Sequence, residues 1–225
     1  MRHAVLDSLD RRLTVVAALA GPPSVAHAEA LLRGVAVRAV QVSAPLDAVV
    51  VPVPWQAAHH PREGIDPITA AYGSLGIALR LWRERPLLVK GGTIVLLHDL
   101  HPRFGGASRA PRRALYEALR GQDPSDVARA EAAAATDASL IESYRAGRAP
   151  HPLQPFADWA ACAPALEQAD RVIVGGCRDA TAARRLGFVP SHSPQAALEM
   201  ALGVAGAGAR VGVLVGPPYA PVVVG

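Results

Sequence analysis

The segment that most constrains this chain is Gly92-Thr93-Ile94-Val95-Leu96-Leu97, entered from a Lys90-Gly91-Gly92 turn and left through His98-Asp99-Leu100-His101-Pro102. Its residues do not alternate between apolar and polar, so both faces of the strand it predicts must be covered, as in the centre of a parallel sheet. Parallel strands need crossover connections, and helices usually supply them. Further apolar runs at 13–19, 37–42, 47–53, 171–174 and 211–215 predict strands, with helical segments between them. Ser24 caps a helix over 25–32 that Gly34 ends; Asp66 and Pro67 form an N-cap and first helical residue for 68–82; Asp179 opens a helix stopped by Gly187; Ser193-Pro194 opens one running through Leu202. Gly73 and Gly76 lie on nearly one face of the 68–82 helix and would admit a close backbone approach.

From 111 to 145 the pattern turns helical, with Asp123-Pro124 as a start signal and an alanine-rich run over 128–138, before a proline-rich loop at 150–155. The whole predicts a single α/β domain over 1–225, with an open, mostly parallel, Rossmann-like sheet, helices on both faces and a helical insertion at 106–155. Apolar residues make up 51% of the 225, enough for a chain of this size to bury roughly 70% of its unfolded surface. Aromatics are only 4%, so the core must be built from Ala, Val and Leu.

The same composition argues against several function classes. The formal charge is +4, but Lys90 is the only lysine and the arginines, such as Arg83, Arg85, Arg112, Arg113, Arg184 and Arg185, are scattered. Without a basic run or interleaved aromatics, no nucleic acid is expected as a partner. Cys162 and Cys177 form neither a disulfide framework nor a metal pair. No run approaches the roughly 20 apolar residues of a membrane span, and residues 1–12 carry both signs of charge where a secretory signal would be apolar. The expected location is the cytoplasm, with no membrane partner.

In open α/β sheets ligands sit beyond the carboxyl ends of strands, which singles out two loops. Residues 55–66 follow the 47–53 strand and hold His59, His60, Arg62, Glu63 and Asp66; residues 98–103 follow the 92–97 strand and hold His98, Asp99, His101 and Arg103. Neighbouring side chains in an extended loop point opposite ways, so at most one of His59 and His60 faces a common site. His98 and His101 lack a third ligand fixed by spacing, so no metal site is expected; the plainer reading has His98 bonding loop backbone. Gly175-Gly176-Cys177 follows a strand, but there is no GxGxxG pattern or phosphate-cradling loop. A tight turn and a small buried thiol are the simpler readings.

The order of these segments, from LTVVAALAGPPSVAH at 13–27 through 47–53, the Asp66-headed helix, Gly91 to Leu96, 193–202 and the closing 211–218, resembles the C-terminal domain of the nickel-dependent lactate racemase family. The likeness covers most of the chain outside 106–155. Members interconvert stereoisomers of 2-hydroxy acids by moving a hydride to and from a nickel pincer nucleotide, and their metal ligand, cofactor lysine and paired histidines lie in an N-terminal domain. The resemblance therefore implies that this chain is the site-closing half of an isomerase, that its partners are that N-terminal cofactor domain and a small 2-hydroxy acid, and that the nickel pincer nucleotide is bound mainly outside this chain, which would start after the missing domain ends.

The family's loop, its Asp, and a helix bearing a Gln and then a Lys have partial counterparts here in His60-Pro61 and Asp66, while no Gln lies between Gln56 and Gln122. Arg80 is the cation available on the helix. By the resemblance, His59, His60, Arg62, Asp66, Arg80, His98 and His101 face substrate or cofactor. A guanidinium such as that of Arg62 or Arg80 would fork onto a carboxylate, and Asp66 would order its loop by capping. The rival expectation, favoured by the lost Gln and Lys, is a stand-alone, non-catalytic binding or scaffolding module of the same fold.

Overall fold

The structure is a computed structural model, and it describes residues 15–53, 56–57, 60–120, 123, 127–215 and 221–225. Its elements run α1 (Pro23–Arg38), β1 (Val40–Val42), β2 (Leu46–Pro52), β3 (Gln56–Ala57), β4 (His60–Gly64), α2 (Pro67–Ala71), β5 (Trp82–Arg83), β6 (Leu88–Leu97), α3 (Ala110–Ala118), α4 (Ala128–Thr136) and α5 (Ala138–Arg145). There follow α6 (Gln154–Ala160), α7 (Ala163–Gln168), β7 (Ala169–Gly175), α8 (Ala180–Arg185), β8 (Val189–Ser191), α9 (Pro194–Ala205), β9 (Val211–Val213) and β10 (Val222–Val224).

The central sheet has five strands in the order β8-β7-β6-β2-β9, and every pairing in it is parallel. The run that most constrained the sequence is indeed central: Ile94 pairs with Val49 on one side and Val172 on the other. Successive side chains leave opposite faces of a strand, and both faces are covered. Val49, Val51, Ile94, Leu96, Val172 and Val174 point into the larger core, while Ala48, Val50, Val95 and Ile173 meet Ala197 and Ala201 of α9 on the other side. The Rossmann-like α/β expectation is thereby met. A smaller parallel sheet, β1-β10-β5, and an antiparallel pair, β3-β4, complete the topology.

Three of the expected caps fall where the sequence puts them, but Ser24 does not cap the first helix: Pro23 fits its first position, so the helix starts before Ser24, with Pro22 as N-cap and no side-chain cap bond. Asp66 accepts from the Thr69 amide at the start of α2, Asp179 from Thr181 and Ala182 at α8, and Ser193 from Ala196 at α9. Other expectations need correction. The expected strand at 13–19 is not one over its described part: Val15 to Ala20 has no regular structure and Val15 is 83% exposed, because an apolar run without a ladder partner stays a coil. The first helix does not stop at Gly34 but continues to Arg38, since one interior glycine costs only about 1 kcal/mol against Ala; the next strand therefore begins at Val40.

The 68–82 helix survives as α2 only to Ala71, then loosens to a wider turn over Tyr72–Ile77 and tightens over Ala78–Arg80. A Cβ on Gly76 would stand 2.6 Å from the Tyr72 ring and 3.4 Å from Ala161, whereas Gly73 faces open space, so only one of the two glycines admits a close approach. The alanine-rich helix breaks at Asp137, which turns extended and caps Ser139 and Leu140 of α5. Pro124, Trp55 and residues 216–220 lie outside the described residues.

Candidate functional site at the carboxyl end of the sheet

Because β2, β6 and β7 are parallel and aligned Pro52 to Leu97 to Gly175, the loops after them open on one side. Gly175 lets this happen closely: a Cβ there would lie 3.0 Å from both Ala197 and Leu97 and 3.1 Å from the Pro194 backbone. The His98 amide bonds the Gly175 carbonyl and the Arg178 amide bonds that of Asp99, so the 98–103 loop is tied to the neighbouring strand end.

That loop turns sharply at Leu100, which has a φ of 45° and is fully buried. A non-glycine residue with positive φ costs on the order of 1–3 kcal/mol, and burial of its isobutyl group offsets this. The turn sends the Leu100 amide back to His98 Nδ1 at 3.0 Å. Since Nδ1 accepts, the proton of the neutral ring sits on Nε2. Burial pushes the His98 pKa below its ordinary value, opposed by the carboxylate of Asp99. The result is a neutral imidazole, with a side chain 1% exposed, whose buried Nε2–H has no partner among the described residues.

Asp66 approaches from the neighbouring strand end. Its Oδ1 accepts from the Thr69 amide at 2.9 Å and its Oδ2 from the Thr69 hydroxyl at 2.8 Å, and its charge acts on both His98 and Asp158. Arg112, on α3, stands between two acids, with Nε 4.0 Å from Asp66 Oδ2 and Nη2 3.7 Å from Asp158 Oδ2. Burial raises the pKa of Asp158, with Arg112 working against it. Arg112 Nε, like His98 Nε2, is buried without a hydrogen-bond partner among the described residues.

Of the residues singled out from sequence, Asp66 and His98 meet in this cluster. His101 sits exposed on the same loop. Arg80 lies at the far end of the helical segment that Asp66 opens, where its charge reaches Cys162 instead. His60 and Arg62 belong to β4, described by its backbone alone, and His59 lies outside the described residues. Sequence reasoning missed Arg112 and Asp158. Asp158 did leave a trace, a carboxylate set between Phe156 and Trp159 in a segment whose aromatics had to be buried.

The thiols are not poised for chemistry. Burial pushes Cys162 up to about 12 and also raises Cys177, whose Sγ contacts the Asp179 carbonyl at 3.2 Å. Among the described residues no three His, Cys, Asp or Glu side chains gather closely enough to hold a metal ion. These described residues do not fit a nickel centre. No described helix is long and apolar enough to cross a membrane.

No family model matches the chain, and no curated protein matches it. Among solved structures it is similar to the lactate racemase apoprotein from Thermoanaerobacterium thermosaccharolyticum, with 15% identity and a TM-score of 0.47, over 88% of this chain and 40% of that one. It is also similar to a structural-genomics protein from Thermotoga maritima, with 12% identity and a TM-score of 0.49, over 88% of this chain and 42% of that one. The chain thus spans well under half the length of either. The parallel α/β architecture stands on the strand pairings themselves.

Proposed function

We propose that this chain binds a small hydroxylated carboxylic acid beside His98, as the site-closing half of a lactate-racemase-like isomerase whose nickel pincer nucleotide is carried by another, N-terminal domain. The observation that carries the reading is the orphan Nε2–H of His98. A buried donor without an acceptor costs about 1–3 kcal/mol, and a ligand oxygen removes that cost. A 2-hydroxy acid offers such an oxygen in its hydroxyl group, while its carboxylate suits Arg103, whose side chain is 40% exposed on the same loop and shares one Nη2 contact, at 3.4 Å, with Asp99. In this reading Asp66 and Arg112 position the loops, and His101, exposed on the 98–103 loop, meets the ligand.

A second reading, a binding module without chemistry, is favoured by the placement of Lys90. The only lysine lies near the start of β6, at the end of the strand remote from His98, with its ammonium on the Glu167 carbonyl. Calorimetric titration of the full chain with lactate, 2-hydroxybutyrate and mandelate tests the common premise. Binding that weakens in His98→Asn supports the site, and no binding to any of them sinks it. Racemisation on adding an N-terminal domain loaded with its cofactor then separates the two readings: activity supports the isomerase, and association with the domain without activity supports the module.

A further inference from the structure

A separate cavity lies at the opposite end of β6, and the sequence carries a costly irregularity that forms its wall. Leu46 pairs with Leu88 and Ala48 with Thr93, so Val89, Lys90, Gly91 and Gly92 stand opposite Asp47 alone. A bulge of this size breaks the ladder of a central strand. Two glycines allow it: Gly91 has a φ of +79°, and a Cβ on Gly92 would lie 2.7 Å from Leu88 Cγ and 3.0 Å from the Asp47 carbonyl oxygen. Side chains take over the lost hydrogen bonding. Gln168 at the end of α7 donates to the Leu88 carbonyl at 2.9 Å, and Lys90 donates to the Glu167 carbonyl.

Between this bulge and α7 is a space of about 230 Å³. Its floor is apolar, formed by Leu79, Leu88, Ile94 and Ala165, all buried, and Trp82 stands at its mouth, 36% exposed. An apolar cavity of about 150 Å³ already admits benzene in a folded protein, so the space suffices for a substituted ring. The only ionisable groups lining it among the described residues are Lys90 and Glu167, one of each sign, and Lys90 is already held by a carbonyl. The two charges sum to zero, and a charged group brought against the apolar floor would lose its hydration without a partner there. The Gln168 carboxamide oxygen is the acceptor that a ligand hydroxyl would meet.

We infer that this cavity is a second binding site, separate from the His98 cluster, for a compact uncharged molecule with an apolar ring and one hydroxyl group. The test uses the full chain and p-cresol as probe, with benzoate and benzylamine as charged molecules of similar size. Tryptophan emission and calorimetry should report saturable binding of one p-cresol per chain, with both ions at least about tenfold weaker. Ala165→Leu, which fills the floor, should abolish binding and leave lactate titration at the His98 site unchanged. Methyl NMR of the unaltered protein reads the same site without mutation, through shifts confined to Leu79, Leu87, Leu88 and Ile94. Absence of saturable p-cresol binding, shifts elsewhere in the protein, or tighter binding of benzoate than of p-cresol would each overturn the inference.

Discussion

The Leu100 amide donates to Nδ1 of His98 at 3.0 Å, and this one bond decides which ring nitrogen carries the proton. Asp99 Oδ1 also lies 3.5 Å from Nδ1, yet it receives no hydrogen bond from the neutral ring and accepts from the His101 amide instead. Nitrogen-15 NMR of His98 should therefore show the Nε2–H tautomer at neutral pH and titration below the ordinary histidine value of about 6.5. An Nδ1–H tautomer at neutral pH would contradict the structure and remove the donor on which the ligand site rests.

Stability should follow from the same depressed pKa. Above about pH 6.5 the ring is neutral in both folded and unfolded chains, and its contribution is fully present. Below that value the unfolded chain takes up the proton first, so stability falls as the pH drops from about 6.5 through the lower folded pKa. In urea titrations across this window His98→Asn, whose amide oxygen can still accept from Leu100, should show a shallower loss than the unaltered chain.

Much of the scaffold was legible because its signals are local. Asp66, Asp179 and Ser193 cap helices through atoms within three residues of themselves, and the unalternating 92–97 run announced burial on both faces. The site was legible only in part. The Asp66–Arg112–Asp158 group joins α2, α3 and α6 across more than forty intervening positions, and no spacing rule connects such residues. The bulge in β6 was read as a plain turn because glycines announce irregular backbone without saying that a strand continues through it.

Asp66 combines two roles that substitutions can separate. Asp66→Ala removes the acceptor of the Thr69 amide and hydroxyl, and loss of such a cap costs about 0.5–2 kcal/mol. Asp66→Asn keeps an oxygen for the Thr69 amide while losing the charge and the acceptor of the Thr69 hydroxyl, so it should unfold later in urea than Asp66→Ala. Because the Asp66 carboxylate favours protonated His98, the Asn variant should also move the His98 titration to still lower pH. An unchanged His98 titration would show that the two residues are not electrostatically linked.

Glycine 175 and glycine 73 make opposite predictions for the same change. Gly175→Ala puts a methyl group 3.0 Å from Ala197 and Leu97 and 3.1 Å from the Pro194 backbone, where overpacking costs about 1–3 kcal/mol. Gly73→Ala meets nothing within 4 Å and should be neutral or stabilising by up to about 1 kcal/mol. Urea midpoints measured side by side check both. Equal effects would mean that α9 does not approach the end of β7 as closely as described.

Arg112 gives the sharpest test of the buried cluster. Its side chain is 20% exposed, and it faces Asp66 and Asp158, 3% and 11% exposed, at contacts of 4.0 and 3.7 Å. Removing the cation that, among the described residues, lies between two buried acids leaves their charges without it, and breaking a buried pair in this way costs about 3–5 kcal/mol. The long contacts and the residual exposure of the guanidinium place Arg112→Met near the bottom of that range. Asp158 relieves the strain by protonating, since burial already raises its pKa and Arg112 is what opposes this. The Arg112→Met variant should therefore recover part of its stability as the pH falls toward the raised Asp158 pKa, the reverse of the His98 trend. Adding Asp158→Leu removes one of the orphaned charges, so the double variant should be less destabilised at neutral pH than the sum of the two single changes, as coupled neighbours are. Additive losses in that cycle would mean that Arg112 and Asp158 do not act on each other, and the cluster beside His98 would then lose its organising ion pair.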